Sequence, residues 1–309
     1  LTAFCHVLTE SNTTHKSVPM LMSSVSAHDF NSIYQQKSII TTFKEAGYQT
    51  AFFSNQRYNH SFIDFFGKEA DTCNFIKENV KHANYNPSDD ELLELVATEL
   101  AKNAPKQFIV LHTYGSHFNY RERYPSENAF FLPDFPVDAE VKYKDNLVNA
   151  YDNSIRYTDD FLARLIGMLQ EQNTDAAMLY SSDHGEDIFD DSRRLFLHAS
   201  PVPSYYQIHV PFLLWMSDSY RDHYPSLWEN TISNKQKNIS SSASFFHTML
   251  ELGGVTTPYR NDSLSVVNVL FTEKPRVYLN DHNEARSLNE IGMGEEDFEM
   301  LQQKGILYR

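Results

Sequence analysis

Four short segments carry side chains that could share one reaction. Ser182-Asp183-His184-Gly185-Glu186 places a carboxylate beside an imidazole directly after the apolar stretch Ala177–Ser182. Carboxylate oxygen and imidazole nitrogen are both good ligands for zinc. The glycine lets the chain bend sharply where it leaves a strand. Leu111-His112-Thr113-Tyr114-Gly115-Ser116-His117 repeats the pattern after a second apolar run and would project His117 from a loop. His198, in Leu197-His198-Ala199, follows His184 by 14 residues. Ser11-Asn12-Thr13-Thr14-His15-Lys16-Ser17-Val18-Pro19 gathers hydroxyls before a helix start. Such a hydroxyl meets free N–H groups and the positive end of the helix dipole, which favour an alkoxide or a bound phosphate. A metal on that hydroxyl would make it a nucleophile. Each segment alone also has an ordinary reading. An Asp-His pair can be a strand-end turn, a Ser/Thr cluster an N-cap, and a lone histidine a hydrogen-bonded structural group. The remaining histidines, among them His6, His82 and His247, are read that way.

The positioning elements follow from hydrophobic periodicity and from stop signals. Lys37–Ala46 is expected to be a helix closed by Gly47, followed by a short buried strand at Thr50–Ser54. Ser88 with Glu91 forms a capping box ahead of a helix over Leu92–Lys102. Gln107–His112 is a β-branched apolar strand. The spacing predicts a long amphipathic helix over Asp145–Gln172, with Leu147, Tyr151, Ile155, Phe161, Leu165 and Leu169 on its apolar face. Further strands are expected at Ala177–Ser182, Val210–Trp215 and Arg276–Leu279. Helices are expected at Ser242–Leu252 and around Glu295–Lys304. Strands alternating with helices predict an α/β fold: a central, mostly parallel sheet flanked by helices, with the site at the C-terminal strand ends.

Composition sets the class. The chain has 309 residues, 41% apolar and 22% charged, which suffices for a substantial core. A formal net charge of −15 excludes a sequence-independent nucleic-acid binder, which needs a basic face. Apolar runs such as Phe108–Leu111 and Phe212–Trp215 fall far short of the roughly 20 residues of a spanning helix. Two cysteines, Cys5 and Cys73, form no disulfide framework; pairing and two free buried thiols both remain open.

Taken together and in order, the segments resemble the lipid A phosphoethanolamine transferases of the alkaline phosphatase and sulfatase superfamily. Thr14-x-x-Ser17-Val18-Pro19 is similar to their nucleophile segment, and Leu179–Glu186 to their metal-ligand segment. Gly115-Ser116-His117 with Arg123-Tyr124-Pro125 resembles their substrate-histidine loop. Ala150–Ser154, Leu197-His198 and His209–Phe212 match as well, and the likeness spans roughly residues 1–280. The resemblance implies a single sulfatase-like catalytic domain over residues 1–309, with an alkaline phosphatase-like sandwich fold. It implies a zinc site, with a second site possible in the family pattern. Thr14 would be both nucleophile and zinc ligand, and Asp183 and His184 would be zinc ligands. His117 and His198 would bind substrate and transfer protons, and Asn55 would be a further substrate contact. The donor would be phosphatidylethanolamine and the acceptor lipid A or another envelope glycan. The catalytic domain would face the periplasm, held at the inner membrane by an N-terminal membrane domain preceding these residues.

Thr14, Asp183 and His184 are then expected to converge within about 5 Å of one point. The family pattern carries one more zinc ligand, a Glu on a first strand some tens of residues before the nucleophile. Only 13 residues precede Thr14 here, and Glu10 stands too close to fill that role. Weak zinc binding, little transfer activity and an exposed sheet edge are therefore expected of residues 1–309, unless another carboxylate within them completes the site. Three alternatives have discriminating features. A sulfatase needs a C/S-x-P-x-R string, and Leu21 stands where the arginine would follow Ser17-Val18-Pro19. A phosphoglycerol transferase also uses threonine and metal, but its metal segment differs. An inactive glycan- or lipid-binding homologue would have lost some of Thr14, His117, Asp183, His184 and His198, all of which are intact.

Overall fold

The computed structural model describes residues 1–80 and 85–308; His82 lies outside them. The chain divides into two compact units. One comprises Leu1–Gly47, Asn173–Glu186 and His198–Arg309, the other Tyr48–Gln172 and Asp187–Leu197.

In the first unit an antiparallel sheet runs in the order Thr2–Phe4, Phe212–Met216, Ala177–Ser181. A parallel pair, Val7–Leu8 with Ile239–Ser240, leads the chain toward Thr14. Phe4, Val7, Phe212, Leu214, Met216 and Leu252 are buried together beneath these strands. Burying side chains of this size contributes about 1.5–3 kcal/mol each. The helix Thr14–Leu21 follows, with Thr13 in extended conformation as its N-cap. The helix Ile39–Glu45 is capped by the Ser38 hydroxyl, which accepts from Ile40 N and Thr41 N. Gly47 just past it has φ +84°, a left-handed conformation that glycine adopts without strain. Val277–Leu279 forms a hairpin with Ala285–Ser287, and Glu295–Gln303 is the last helix.

The second unit holds a parallel sheet in the order Thr72–Phe75, Gln49–Ser54, Gln107–His112. Its central strand is buried along Thr50–Ser54, as expected of a parallel strand covered on both faces. Gly67 lies under Phe52, and a Cβ there would stand 2.7 Å from the ring. The capping expectation at Ser88 holds in part: Ser88 N donates to the Glu91 carboxylate at 3.2 Å, and the helix runs Glu91–Leu100. The long helix spans Lys144–Glu171. Its expected face is buried at Leu147, Phe161 and Leu165, and the departure is local. Ile155 is exposed, and Asn153 and Ser154 are buried. Asn153 turns inward to the backbone of the preceding loop, and the Ser154 hydroxyl donates to Tyr151 O within the helix. Both cysteines are free and exposed, which corrects the expectation of buried thiols.

Candidate active site

The first unit brings Thr14, Asp183 and His184 together. Asp183 and His184 follow the strand Ala177–Ser181, and Thr14 opens its helix. Thr14 Oγ1 lies 3.0 Å from His184 Nε2, and Asp183 Oδ2 lies 3.4 Å from the same nitrogen. Ser17, one helical turn after Thr14, sits 2.9 Å from Thr13 O and 3.1 Å from Asp183 Oδ2, so its hydroxyl proton is shared between two acceptors. Gly185 is fixed by a close approach: its N–H donates to Gln207 O at 2.8 Å, and a Cβ would stand 2.1 Å from Tyr206 O. Any side chain would push the Asp183–His184 turn away from its support.

The loop before Thr14 is held on several sides. Asn12 Nδ2 donates to Ser200 O at 2.9 Å, Asn12 Oδ1 accepts from Tyr278 Oη at 2.6 Å, and Asn12 O accepts from Ala199 N at 3.2 Å. Asn12 thus ties the loop before Thr14 to the segment that begins with His198. Glu10 points elsewhere. Its carboxyl accepts from Ala27 N at 2.7 Å and pairs with Ser240 Oγ at 2.6 Å, and burial pushes its pKa up. It acts as a strut beneath the loop.

His198 packs against His184, with ring centroids 4.1 Å apart and planes tilted by 34°. Its Nδ1 lies 2.9 Å from Glu186 Oε1. Burial pulls the imidazole pKa down, but the hydrogen bond to Glu186 and the charges of Glu186 and Asp183 outweigh it, and the net shift is upward. His184, Glu186 and His198 each offer a ligand atom, all within 4.8 Å of one another. Glu186 had no assigned role in the sequence reading. Its place two residues after His184, across a glycine, was the available signal.

These donors fit a zinc ion. His184 Nδ1 lies 3.0 Å from Gly185 O, an acceptor only, so Nδ1 carries the hydrogen and Nε2 presents a lone pair. That lone pair faces a carboxylate oxygen, and two electron-rich atoms so placed need a cation or a proton between them. Thr14 Oγ1, Asp183 and His184 Nε2 meet at that point, whereas Glu186 groups with His184 and His198.

In the second unit, Asn55 and His117 lie at strand ends of the parallel sheet. Asn55 Nδ2 donates to Pro87 O at 3.1 Å and to Asp89 Oδ1 at 2.8 Å. The Asp89 carboxylate also accepts from Tyr114 N and Gly115 N, each at 2.8 Å. Asp89 thereby shapes the His117 loop, where Gly115 takes φ +57°. His117 Nδ1 lies 2.6 Å from Phe118 O, and its ring packs 5.0 Å from that of Tyr114. Lys77 and Arg123 flank Tyr114, at 3.3 and 4.3 Å from its centroid. Burial and then Arg123 lower the Lys77 pKa to about 8. Nothing in the sequence pattern had marked Lys77.

A strand-end carboxylate–imidazole pair thus stands beside a helix-opening threonine, and comparison with known proteins gives the family. The Sulfatase family model matches residues 1–255, and the chain belongs to that family. Within it, the chain is similar to phosphoethanolamine transferase EptC of Escherichia coli K12, with 25% identity over 287 residues, 89% of this chain and 48% of the relative. It thus spans about half the length of that curated relative. The crystal structure of the C-terminal periplasmic domain of E. coli EptC in complex with Zn superposes with a TM-score of 0.84 at 24% identity, covering 96% of this chain and 84% of that one. The integral membrane protein lipooligosaccharide phosphoethanolamine transferase A of Neisseria meningitidis gives 0.76 at 23% identity, covering 86% and 50%. The fold is therefore that of the alkaline phosphatase and sulfatase group, as the resemblance implied. Among the described residues no helix is long and apolar enough to cross a membrane.

Proposed function

We propose that this chain transfers phosphoethanolamine from phosphatidylethanolamine to lipid A or another envelope glycan, through a phosphothreonine formed at Thr14. The observation that carries the reading is the 3.0 Å approach of Thr14 Oγ1 to His184 Nε2, at a helix N-terminus and beside Asp183. The relatives' names supply the group transferred. Zinc, held by Thr14, Asp183 and His184, would lower the pKa of the threonine hydroxyl and neutralise charge on the phosphoryl oxygens.

The residues' own parts follow from their geometry. Thr14 Oγ1 forms a bond to phosphorus as the bond to the glycerol oxygen breaks, and the Thr14 proton passes to solvent. His198, hydrogen-bonded to Glu186, gives a proton to the departing diacylglycerol oxygen. An acceptor oxygen then attacks the phosphothreonine, its proton returns to His198, and Thr14 Oγ1 leaves and is reprotonated. Splitting one hard displacement into two is the gain of a covalent intermediate. The reaction belongs at the periplasmic face of the inner membrane, with membrane attachment supplied by a segment outside these residues.

Incubation with phosphatidylethanolamine should add one phosphoethanolamine to the intact mass, and Thr14→Ala should abolish the adduct. An adduct that persists in Thr14→Ala sinks the assignment. Analysis of envelope glycolipids from cells with and without the gene identifies the acceptor.

A further inference from the structure

Among the described residues, four large apolar side chains are exposed within one eight-residue stretch. Phe130, Leu132, Phe135 and Val137 have 67, 67, 72 and 77% of their surface open to solvent. Scattered exposed apolar residues are ordinary, but a cluster this dense marks an interaction surface. The loop is not loose. Asn153 Oδ1 accepts from Phe130 N at 2.8 Å and from Phe131 N at 2.9 Å, while its Nδ2 donates to Phe131 O at 2.9 Å. Asn149 Nδ2 donates to Pro133 O at 2.9 Å, and Asn146 Nδ2 to Phe135 O at 3.3 Å. Asn146, Asn149 and Asn153 stand on one face of the helix Lys144–Glu171. The loop's one acidic residue between positions 130 and 137 turns inward: Asp134 is buried, accepts from Tyr124 Oη at 2.8 Å and lies 3.1 Å from Arg121 Nε. Three asparagines thus hold five backbone groups of the loop, the one carboxylate turns inward, and an apolar crest is left facing outward.

We propose that this crest inserts into the headgroup region of a phospholipid bilayer. The idea rests on the lipid donor proposed above. The proposed lipid donor and a cation at the rim select the occupant. A chain of net charge −15 gains no general Coulomb attraction from an anionic membrane, so contact must come from apolar burial. The crest bears no exposed carboxylate between Phe130 and Val137, and the exposed guanidinium of Arg156 stacks 4.3 Å from the Phe130 ring. A cation at the rim of an aromatic crest matches the level of lipid phosphates, with the rings below it.

The test is flotation of the chain with vesicles of phosphatidylethanolamine and phosphatidylglycerol. Replacing Leu132, Phe135 and Val137 together by serine touches only exposed side chains. The bound fraction should fall about tenfold or more, as expected when two or three inserted side chains are lost. Binding of the unchanged chain should persist in about 0.5 M salt, where Coulomb attraction is screened. A Leu132→Trp variant should be quenched by brominated acyl chains, which reads insertion without removing the crest. Equal binding by the triple-serine variant, loss of binding in salt, or an unquenched tryptophan overturns the proposal. A dimer that the triple-serine variant converts to monomer also overturns it, in favour of a second copy as the occupant. A short-chain, water-soluble phosphatidylethanolamine separates this proposal from the catalytic one. The triple-serine variant should form the Thr14 adduct from that donor as the unchanged chain does. Absence of the adduct in both sinks the transfer reading, while the flotation result still decides the crest.

Discussion

The nucleophile loop Thr9–Thr14 and the crest Phe130–Val137 are both irregular segments locked by polar side chains, but they turn opposite faces outward. Asn12, tied to Ser200, Ala199 and Tyr278, holds the first so that a hydroxyl meets an imidazole and a carboxylate. Asn153, Asn149 and Asn146 hold the second so that apolar side chains stand in water. In the first, the locking groups and the reactive groups are both polar and partly interconnected, so a small displacement changes chemistry. In the second, the locking groups are separate from the displayed ones, so the display can change while the frame stands. A buried asparagine satisfied through both ends of its amide is rigid in either setting. What it presents is decided by its neighbours.

Breaking the first frame should have the largest effect. In Gly185→Ala the new methyl meets Tyr206 O, a backbone atom that cannot swing aside, and the Asp183–His184 turn must move. A displacement near 1 Å in a catalytic constellation can cost about 100-fold or more in rate. Adduct formation should fall at least that far, and zinc content by metal analysis should fall with it. Unchanged adduct and metal would mean that the turn is not held by Gln207 and Tyr206, and that the two frames do not differ as argued.

The second frame should fail through stability. Asn153→Ala strands Phe130 N, Phe131 N and Phe131 O without their partner, and each buried group left unpaired costs about 1–3 kcal/mol. We expect a loss of about 3 kcal/mol, read from the urea midpoint, together with weaker vesicle binding. Adduct formation from a short-chain donor should stay near its original level under conditions where the variant is folded. A variant that keeps full stability would show that the loop is held by something other than this amide.

The elements were largely legible because their patterns are local. The helix Ile39–Glu45 announced its end through Gly47, and the strand Gln107–His112 matched its apolar run residue for residue. The meeting of the candidate site residues was legible for another reason. Asp183, His184 and Thr14 sit at strand and helix ends, where side chains converge, and the ordered likeness to a family joined segments far apart in sequence. The contacts between those segments were not legible. Glu186 pairs with His198 only because the chain returns across the turn, and Lys77 reaches Tyr114 from a separate element. The crest escaped notice because Phe130, Leu132 and Phe135 look like core residues until Asn153 is known to occupy the buried helix position. Ile155, by its periodicity, should have been the buried residue. Helical period gives the face that is apolar, but a loop needing backbone partners can recruit a polar face instead.

The smallest expected effect tests how far the locking and reactive groups of the first frame are joined. Ser17 is fully buried, and its hydroxyl is shared between Thr13 O and Asp183 Oδ2. Removing it in Ser17→Ala leaves Thr13 O to its remaining helical donors, since Ser17 N already bonds that carbonyl at 2.9 Å. The fold should therefore lose only about 1 kcal/mol, the net worth of one hydrogen bond. Asp183 loses a donor that orients its carboxylate, and groups of that kind typically matter about 10- to 100-fold in metal affinity. Zinc titration should show weakening near the lower end of that range, because His184 and Thr14 keep their own supports. Ser17→Thr keeps the hydroxyl and should recover part of the affinity if the added methyl is accommodated. If Ser17→Ala lowers stability by several kcal/mol and leaves zinc affinity unchanged, Ser17 belongs to the frame alone. If affinity falls while stability holds, the frame of the nucleophile loop reaches directly into its chemistry, which the asparagines under the crest do not do.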